Sequence, residues 1–285
     1  MKVKQREIKT LLDAMPYIQQ FRDKIVVIKY GGSAQTSPEL QEKFAQDISL
    51  LQLTGIKPVV VHGGGSKISS MLKQLNISSH FIDGHRVTCE DSMKIVEMVL
   101  SGDINKNLTS LLNFHGAKAI GISGKDSNCI EAKPKDNGKF GYTGVVTSIN
   151  KDIILDLIEE GFVPVIAPIA NSEKPNHPGF NINADIAASK IAIALEANKI
   201  LFLTDTKGVL NKDNQLLKSL DKNSVDQYKQ DGTIAGGMIP KVDSCIDVIS
   251  NGVNKAHIID GRVEHSILLE LFTSDGIGTQ FLQKG

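Results

Sequence analysis

No stretch of this sequence approaches the roughly 18 uninterrupted apolar residues of a membrane-spanning helix, and its opening MKVKQREIK has no apolar segment behind the charges. Neither membrane spanning nor secretion is encoded. An intracellular protein is expected, cytoplasmic, or stromal if plastid-encoded. Excess charge is lacking as well, since 32 Lys and Arg balance 32 Asp and Glu over 285 residues. A neutral chain has no field to hold a polyanion, which argues against a dedicated nucleic-acid binder. Cysteine is scarce: Cys89, Cys129 and Cys245 stand far apart without a CxxC pair. Disulfides and a zinc site are therefore not expected, and no residue is assigned as a metal ligand. Repeats and low-complexity tracts are absent. So are a GxSxG elbow, a GxxxxGK[ST] loop and a GxGxxG fingerprint, which removes the usual hydrolase, Walker-type and dinucleotide readings.

Hydrophobic residues make up 41% and charged residues 22% of the chain, enough apolar material for a packed core. Short β-branched runs alternate with longer amphipathic stretches, the pattern of parallel strands joined by helical crossovers. Strands are expected at Ile25–Tyr30, Pro58–His62, Ala117–Ile122, Val163–Ile169, Ile200–Thr204 and Ala256–Ile259. Phe140–Asn150 reads as an inserted hairpin, and a second hairpin is expected around Phe81–Thr88. The proline-interrupted stretch Asn171–Gly179 is the softest candidate boundary. It divides a lobe at 23–175 from one at 176–285, behind an N-terminal segment at 1–22. In that segment Ile8, Leu11, Leu12, Met15, Ile18 and Phe21 recur at helical spacing. Pro16 is expected to bend or restart this helix, which packs either on its own domain or on another subunit.

Several strand ends carry candidate chemistry. The first expected strand runs into Gly31-Gly32 with Lys29 just ahead, where backbone N–H groups can approach a phosphate closely and an ammonium is at hand. The same design recurs at His62-Gly63-Gly64-Gly65, followed by a helical pattern whose first amides favour an anion. Asp185, after Asn181 and Asn183, is either a helix cap or a working carboxylate. The strand ending at Thr204 opens into Asp205-Thr206-Lys207-Gly208, a polar exit where open α/β sheets place ligands. Gly236-Gly237-Met238 offers a further flexible loop ahead of Lys241.

Six strings occur in order: Ile28-Lys29-Tyr30-Gly31-Gly32, Val61-His62-Gly63-Gly64-Gly65, Asp83-Gly84-His85-Arg86-Val87-Thr88, Asn181-Ile182-Asn183-Ala184-Asp185, Leu203-Thr204-Asp205-Thr206-Lys207-Gly208-Val209 and Gly236-Gly237-Met238-Ile239-Pro240-Lys241. Together they resemble the amino acid kinase family over nearly the whole chain. The likeness is greatest to its branch that phosphorylates N-acetyl-L-glutamate. The resemblance implies an open, mainly parallel αβα sandwich with inserted β-hairpins, the first lobe holding the amino acid and the second ATP. It implies Lys29 and Lys241 as cations on the transferring phosphoryl group and Asp185 as the carboxylate orienting both. Gly64, Gly65, Arg86 and Asn181 would contact N-acetyl-L-glutamate. Gly31, Gly32, Thr204, Asp205, Gly208, Gly236, Gly237 and Met238 would lie on the ATP side, with Mg²⁺ held mainly by phosphate oxygens. The N-terminal helix is similar to that of the arginine-inhibited branch, in which such helices interlace dimers into a hexamer. There His257, Glu270 and Gly276 would belong to an L-arginine site. A PII-type signalling protein is a further partner that the resemblance suggests. The rival readings are a sister kinase acting on another carboxylate, phosphate or carbamate, and a non-catalytic nucleotide-binding sensor of arginine.

Overall fold

The structure, a computed structural model, describes residues 2–82 and 84–283, with side chains from Ile8 onward apart from Leu11. Asp83 of the third string and the Leu11 position of the N-terminal stripe lie outside the described residues. Helix α1 (Lys2–Phe21) leads into β1 (Ile25–Tyr30), α2 (Pro38–Leu53), β2 (Lys57–His62) and α3 (Gly65–Gln74). A small hairpin, β3 (His80–Ile82) and β4 (His85–Val87), precedes α4 (Glu90–Glu97). A π-helical stretch (Met98–Ile104) carries α4 directly into α5 (Asn105–Phe114). Then come β5 (Ala119–Ser123), β6 (Ile130–Pro134), β7 (Gly144–Ile149), α6 (Asp152–Glu159) and β8 (Val163–Ala167). Strands β9 (Ile169–Ser172) and β10 (Phe180–Asn181) lead to α7 (Ala184–Ala194) and β11 (Lys199–Thr204). The chain ends with β12 (Ser219–Leu220), α8 (Lys222–Gln230), α9 (Met238–Ser250), β13 (Lys255–Asp260), α10 (Ser266–Phe272) and β14 (Thr279–Phe281).

Eight strands form one sheet in the order β12-β14-β13-β11-β1-β2-β8-β5. Only β14 and its neighbour β12 run against the others. The central strands read as unbroken apolar runs because alternate residues feed two separate cores. Val27, Val59, Val61, Ile200 and Phe202 join the cluster that includes α7 and α9. Val26, Ile28, Val60, Leu201 and Leu203 join the one that includes α2, α5 and α10. Helices therefore cover both faces, and the central pair β1 and β11 joins the two halves of the chain.

Several expected boundaries shift. The run Val163–Ile169 is broken at Pro168 into β8 and β9, and β9 belongs to a second, four-stranded sheet ordered β10-β9-β6-β7. Residues 140–150 supply only one hairpin strand, β7, whose antiparallel partner is the upstream β6. The run Ala117–Ile122 forms a strand only from Ala119 and continues to Ser123. Residues 173–179 connect β9 to its antiparallel neighbour β10. The α1 helix does not restart at Pro16 but contains it. It packs on α10 and buries Phe21, while Ile8, Leu12 and Met15 remain exposed on one face. Among the described residues, no helix is long and apolar enough to cross a membrane.

Candidate active site

The carboxyl ends of β1 and β2 open into a cleft of about 490 Å³, lined by Lys29, Gly31, Gly32, Gly63, Gly64 and Gly65 on one side. Arg86, Asn181, Asp185 and Asp205 close the other sides. This is the position that an open parallel sheet offers to a ligand. A Cβ at Gly31 would lie 2.5 Å from Lys29 Nζ and push the ammonium from its place beside Asp185. At Gly64 a Cβ would collide with Ile104 and lie 2.7 Å from Leu100, both on the π-helical stretch beneath the loop.

Asn183, not Asp185, caps α7. Its Oδ1 accepts the Asp185 amide at 2.8 Å and the Ile186 amide at 3.2 Å. The Asp185 carboxylate is thereby released to face the cleft, where Oδ1 lies 2.9 Å from Lys29 Nζ and Oδ2 accepts from Lys241 Nζ at 2.8 Å. Burial alone would raise the Asp185 pKa, but the two ammonium charges outweigh it and hold the group at about 2. Lys29 comes from β1, Lys241 from the first turn of α9 and Asp185 from α7, so three elements from both halves of the chain converge on one charge cluster.

Arg86 sits on β4 and is buried. Its Nη1 donates to Ser79 Oγ at 2.5 Å, and Nη2 donates to Gly65 O at 3.0 Å and Ser69 Oγ at 2.8 Å. The guanidinium also lies 4.6 Å from the centre of the Phe81 ring. Three of its five N–H groups serve this frame, and Nε–H and one Nη1–H stay free on different edges of the guanidinium. A hydroxyl chain fixes the hairpin that carries it. Thr143 Oγ1 donates to Arg86 O at 2.5 Å and lies 2.9 Å from Thr88 Oγ1, which accepts from Asn181 Nδ2 at 3.2 Å.

The structure thus brings Lys29, Gly31, Gly32, Gly64, Gly65, Arg86, Asn181, Asp185 and Asp205 to one cleft, with Lys241 joined through Asp185. Asp205 Oδ1 accepts the Ser33 amide at 2.7 Å, tying β11 to the first glycine loop. Thr204, Gly208, Gly236, Gly237 and Met238 are not among the residues lining this cleft. Thr204 ends β11, Gly208 packs on Thr279, and Gly237 precedes the first turn of α9. Sequence reasoning overlooked Gln35, Ser69, Ser79, Phe81 and Thr143. Isolated hydroxyl and amide residues carry no periodic signal, and only the folded geometry gathers them. Among the described residues no group of three His, Cys, Asp or Glu could hold a metal.

A second polar cavity, of about 340 Å³, lies at the opposite ends of β11 and β13, walled by Tyr17 and Phe21 of α1. Its floor carries Lys199, Lys255, His257 and Glu270. Glu270 accepts from His257 Nδ1 at 2.5 Å, from the Ile277 amide at 2.6 Å and from the Gly278 amide at 3.0 Å. Burial works against its ionisation, but His257 and the two amides prevail and keep its pKa below the usual carboxylate range. His257 Nε2 is buried without a partner. Gly276 has φ +56°, and a Cβ there would lie 2.8 Å from the Glu270 carboxylate.

Residues 24–260 match the model of the amino acid kinase family, and the chain belongs to that family. It is 70% identical over 277 residues to the acetylglutamate kinase of Aliarcobacter butzleri (strain RM4018), covering 97% of this chain and 92% of that one. It is 64% identical over 282 residues to the acetylglutamate kinase of a Nitratiruptor species, covering 99% of each. Among solved structures, N-acetylglutamate synthase from Neisseria gonorrhoeae, complexed with coenzyme A and N-acetyl-glutamate, superposes with a TM-score of 0.86 at 24% identity. That likeness of fold covers 98% of this chain and 64% of the other.

Proposed function

We propose that this protein transfers the γ-phosphoryl group of ATP to the γ-carboxylate of N-acetyl-L-glutamate, giving N-acetyl-L-glutamyl 5-phosphate and ADP, the acyl-phosphate step of arginine biosynthesis. The observation that carries the reading is the Lys29–Asp185–Lys241 cluster beside two glycine loops. The identity to acetylglutamate kinases over nearly the full length supports the choice of acceptor. A Glu-like carboxylate has a pKa of about 4.3, so the nucleophile is ionised at neutral pH and needs no general base. Its oxygen forms the new bond to the γ-phosphorus while the bond to the β,γ-bridging oxygen breaks, and ADP leaves with the electron pair. The obstacle is repulsion between anions. Lys29 and Lys241 offset it by charge, and the amides of Gly31, Gly32 and Gly64 align the phosphates, which is the main catalytic task in phosphoryl transfer. Arg86 holds the substrate α-carboxylate with its remaining N–H groups, and Asn181 orients the acetamido end. Mg²⁺ bound with ATP would supply further charge neutralisation at the phosphates. The nucleotide side extends over Asp205, Thr204, Gly208 and the Gly236–Met238 loop, so that 23–175 carries most of the amino-acid side and 176–285 most of the ATP side, with Gly31, Gly32 and Asn181 reaching across.

The second cavity supports feedback by L-arginine. An ionised Glu270 and the unpartnered acceptor of His257 suit a guanidinium, and the Lys199 and Lys255 ammoniums suit an α-carboxylate. The exposed stripe Ile8, Leu12 and Met15 on α1 suits packing against another copy within a trimer of dimers. A hydroxylamine trap tests the main reading. Incubated with Mg·ATP and a panel of acceptors, the protein should yield a hydroxamate with N-acetyl-L-glutamate and not with glutamate, aspartate, carbamate or uridylate. Absence of product with N-acetyl-L-glutamate would refute it.

A further inference from the structure

A fully buried polar pair lies beneath the second glycine loop, and charge compensation at the phosphorus does not account for it. His62 ends β2, Asn105 opens α5, and neither exposes any surface. Asn105 Nδ2 lies 2.9 Å from Val165 O, 3.2 Å from Ile122 O and 3.2 Å from His62 Nε2. The two carbonyl oxygens can only accept, so the amide must present its NH₂ to this group. The orientation adopted leaves Asn105 Oδ1 buried without a partner, but a reversed amide would press that oxygen against both carbonyls and leave two buried donor hydrogens idle, the larger cost. The two amide hydrogens are shared among three acceptors, so His62 Nε2, facing a donor, carries no proton of its own. A neutral imidazole with a bare Nε2 carries its proton on Nδ1, which lies 3.1 Å from Gly63 O and donates to it. Gln35 Nε2 donates to the same oxygen at 3.1 Å and to Tyr30 O at 3.1 Å. Both lone pairs of the Gly63 carbonyl are thus engaged, one from below by His62 and one from the first glycine loop by Gln35.

The helix that supplies Asn105 reaches it through the π-helical stretch Met98–Ile104, whose Leu100 and Ile104 pack directly under Gly64. A π turn inside an α-helix re-aims the residues that follow, at a cost that is commonly met at functional sites. We propose that Asn105, acting through His62, is a positioning residue: it fixes the imidazole tautomer, hence the direction of the Gly63 carbonyl, hence the presentation of Gly64 and Gly65 to the reacting phosphate and carboxylate. The consequence for turnover rests on the kinase reading; the tautomer does not.

Two experiments test it. Neutron diffraction from deuterium-exchanged crystals of the unmodified protein should place the His62 deuteron on Nδ1, and a deuteron on Nε2 would overturn the proposal whatever reaction is catalysed. In solution, Asn105→Asp turns an acceptor toward Nε2, draws the proton there and leaves the Nδ1 lone pair against Gly63 O. Its kcat should fall about 10- to 10²-fold, the effect of a misplacement near 1 Å, with the KM for N-acetyl-L-glutamate changed much less. His62→Asn restores an N–H donor near the Nδ1 position, so the double variant His62→Asn with Asn105→Asp should recover at least about fivefold over Asn105→Asp alone, a rescue that packing alone does not supply. A double variant no faster than the single one would sink the positioning role. Loss of acceptor-dependent turnover in the unmodified protein would instead sink the kinase reading and leave the neutron test standing.

Discussion

Asp185 and Asn183 are two residues apart, and each could have capped α7. Because Asn183 takes both amides, Asp185 is left with two lysines and no structural duty. Replacing Lys29 or Lys241 by Ala should lower kcat by about 10²–10³-fold, the usual loss for one electrostatic donor. Near-normal turnover in both single variants would remove their assignment. With its pKa held at about 2, Asp185 gives no acid limb to kcat between pH 5 and 8; a limb there that vanishes in Asp185→Asn would contradict the ion cluster. Arg86→Lys should raise the KM for N-acetyl-L-glutamate with a smaller change in kcat, because an ammonium cannot reproduce the fork held by Ser79, Ser69 and Gly65. His62 sets a stability signature instead. Burial pushes its pKa down to about 4, so below its ordinary 6.5 the unfolded chain takes up a proton before the folded one does. That contribution is present above pH 6.5 and is lost as pH falls toward 4, about 3 kcal/mol in all. Urea midpoints at pH 7.5 and 5.0 should show this decline in the parent and a flatter one in His62→Asn.

Among the elements, the strands that can be read from sequence are those buried on both faces. In β1, β2 and β11 four consecutive residues are apolar, so the run is visible without knowing which core each side chain enters. The glycine loops at their ends are visible for the same reason, as abrupt breaks in apolar runs. Strand β6 is not visible, because Ile130-Glu131-Ala132-Lys133-Pro134 is half polar and gains its identity by pairing with β7 and β9. Nor is the π turn before Asn105, since Met98–Ile104 is compatible with an ordinary helix and its extra residue answers to packing under Gly64. The hydroxyl chain through Thr88 and Thr143 joins elements 55 residues apart and leaves no local trace. Helix caps are local and legible by contrast. Asp221 and Ser224 form a capping box at the start of α8, and Asp221→Ala should cost about 1 kcal/mol, read as a lower urea midpoint at unchanged activity.

Across the whole molecule, α1 is the element whose sequence exceeds the needs of one chain. It spends Phe21 on the core and Tyr17 on the second cavity, and leaves Ile8, Leu12 and Met15 without cover. On the proposed trimer of dimers with arginine feedback, deleting residues 1–20 should leave catalysis in place, yield dimers by light scattering, and weaken inhibition by L-arginine. An unaltered hexamer would rule out the intersubunit role. Inhibition should also fade in alkali. Burial, with Lys255 nearby, pushes the Lys199 pKa down to about 8, so its grip on an effector carboxylate is present below that pH and lost above it, measurable as a rising half-inhibitory arginine concentration from pH 7 to 9. The geometry of the two cavities has one more outcome. Lys199 of the second cavity begins the six-residue strand that finishes at Thr204, one residue before Asp205 of the cleft, so about 17–20 Å of strand, hydrogen-bonded to β1 and β13, runs between the two. A rod braced on both sides does not stretch. Whatever tugs its foot must either tilt the head, where Asp205 clasps Ser33, or be felt nowhere, and hydrogen–deuterium exchange at Ser33 with and without arginine tells the two apart.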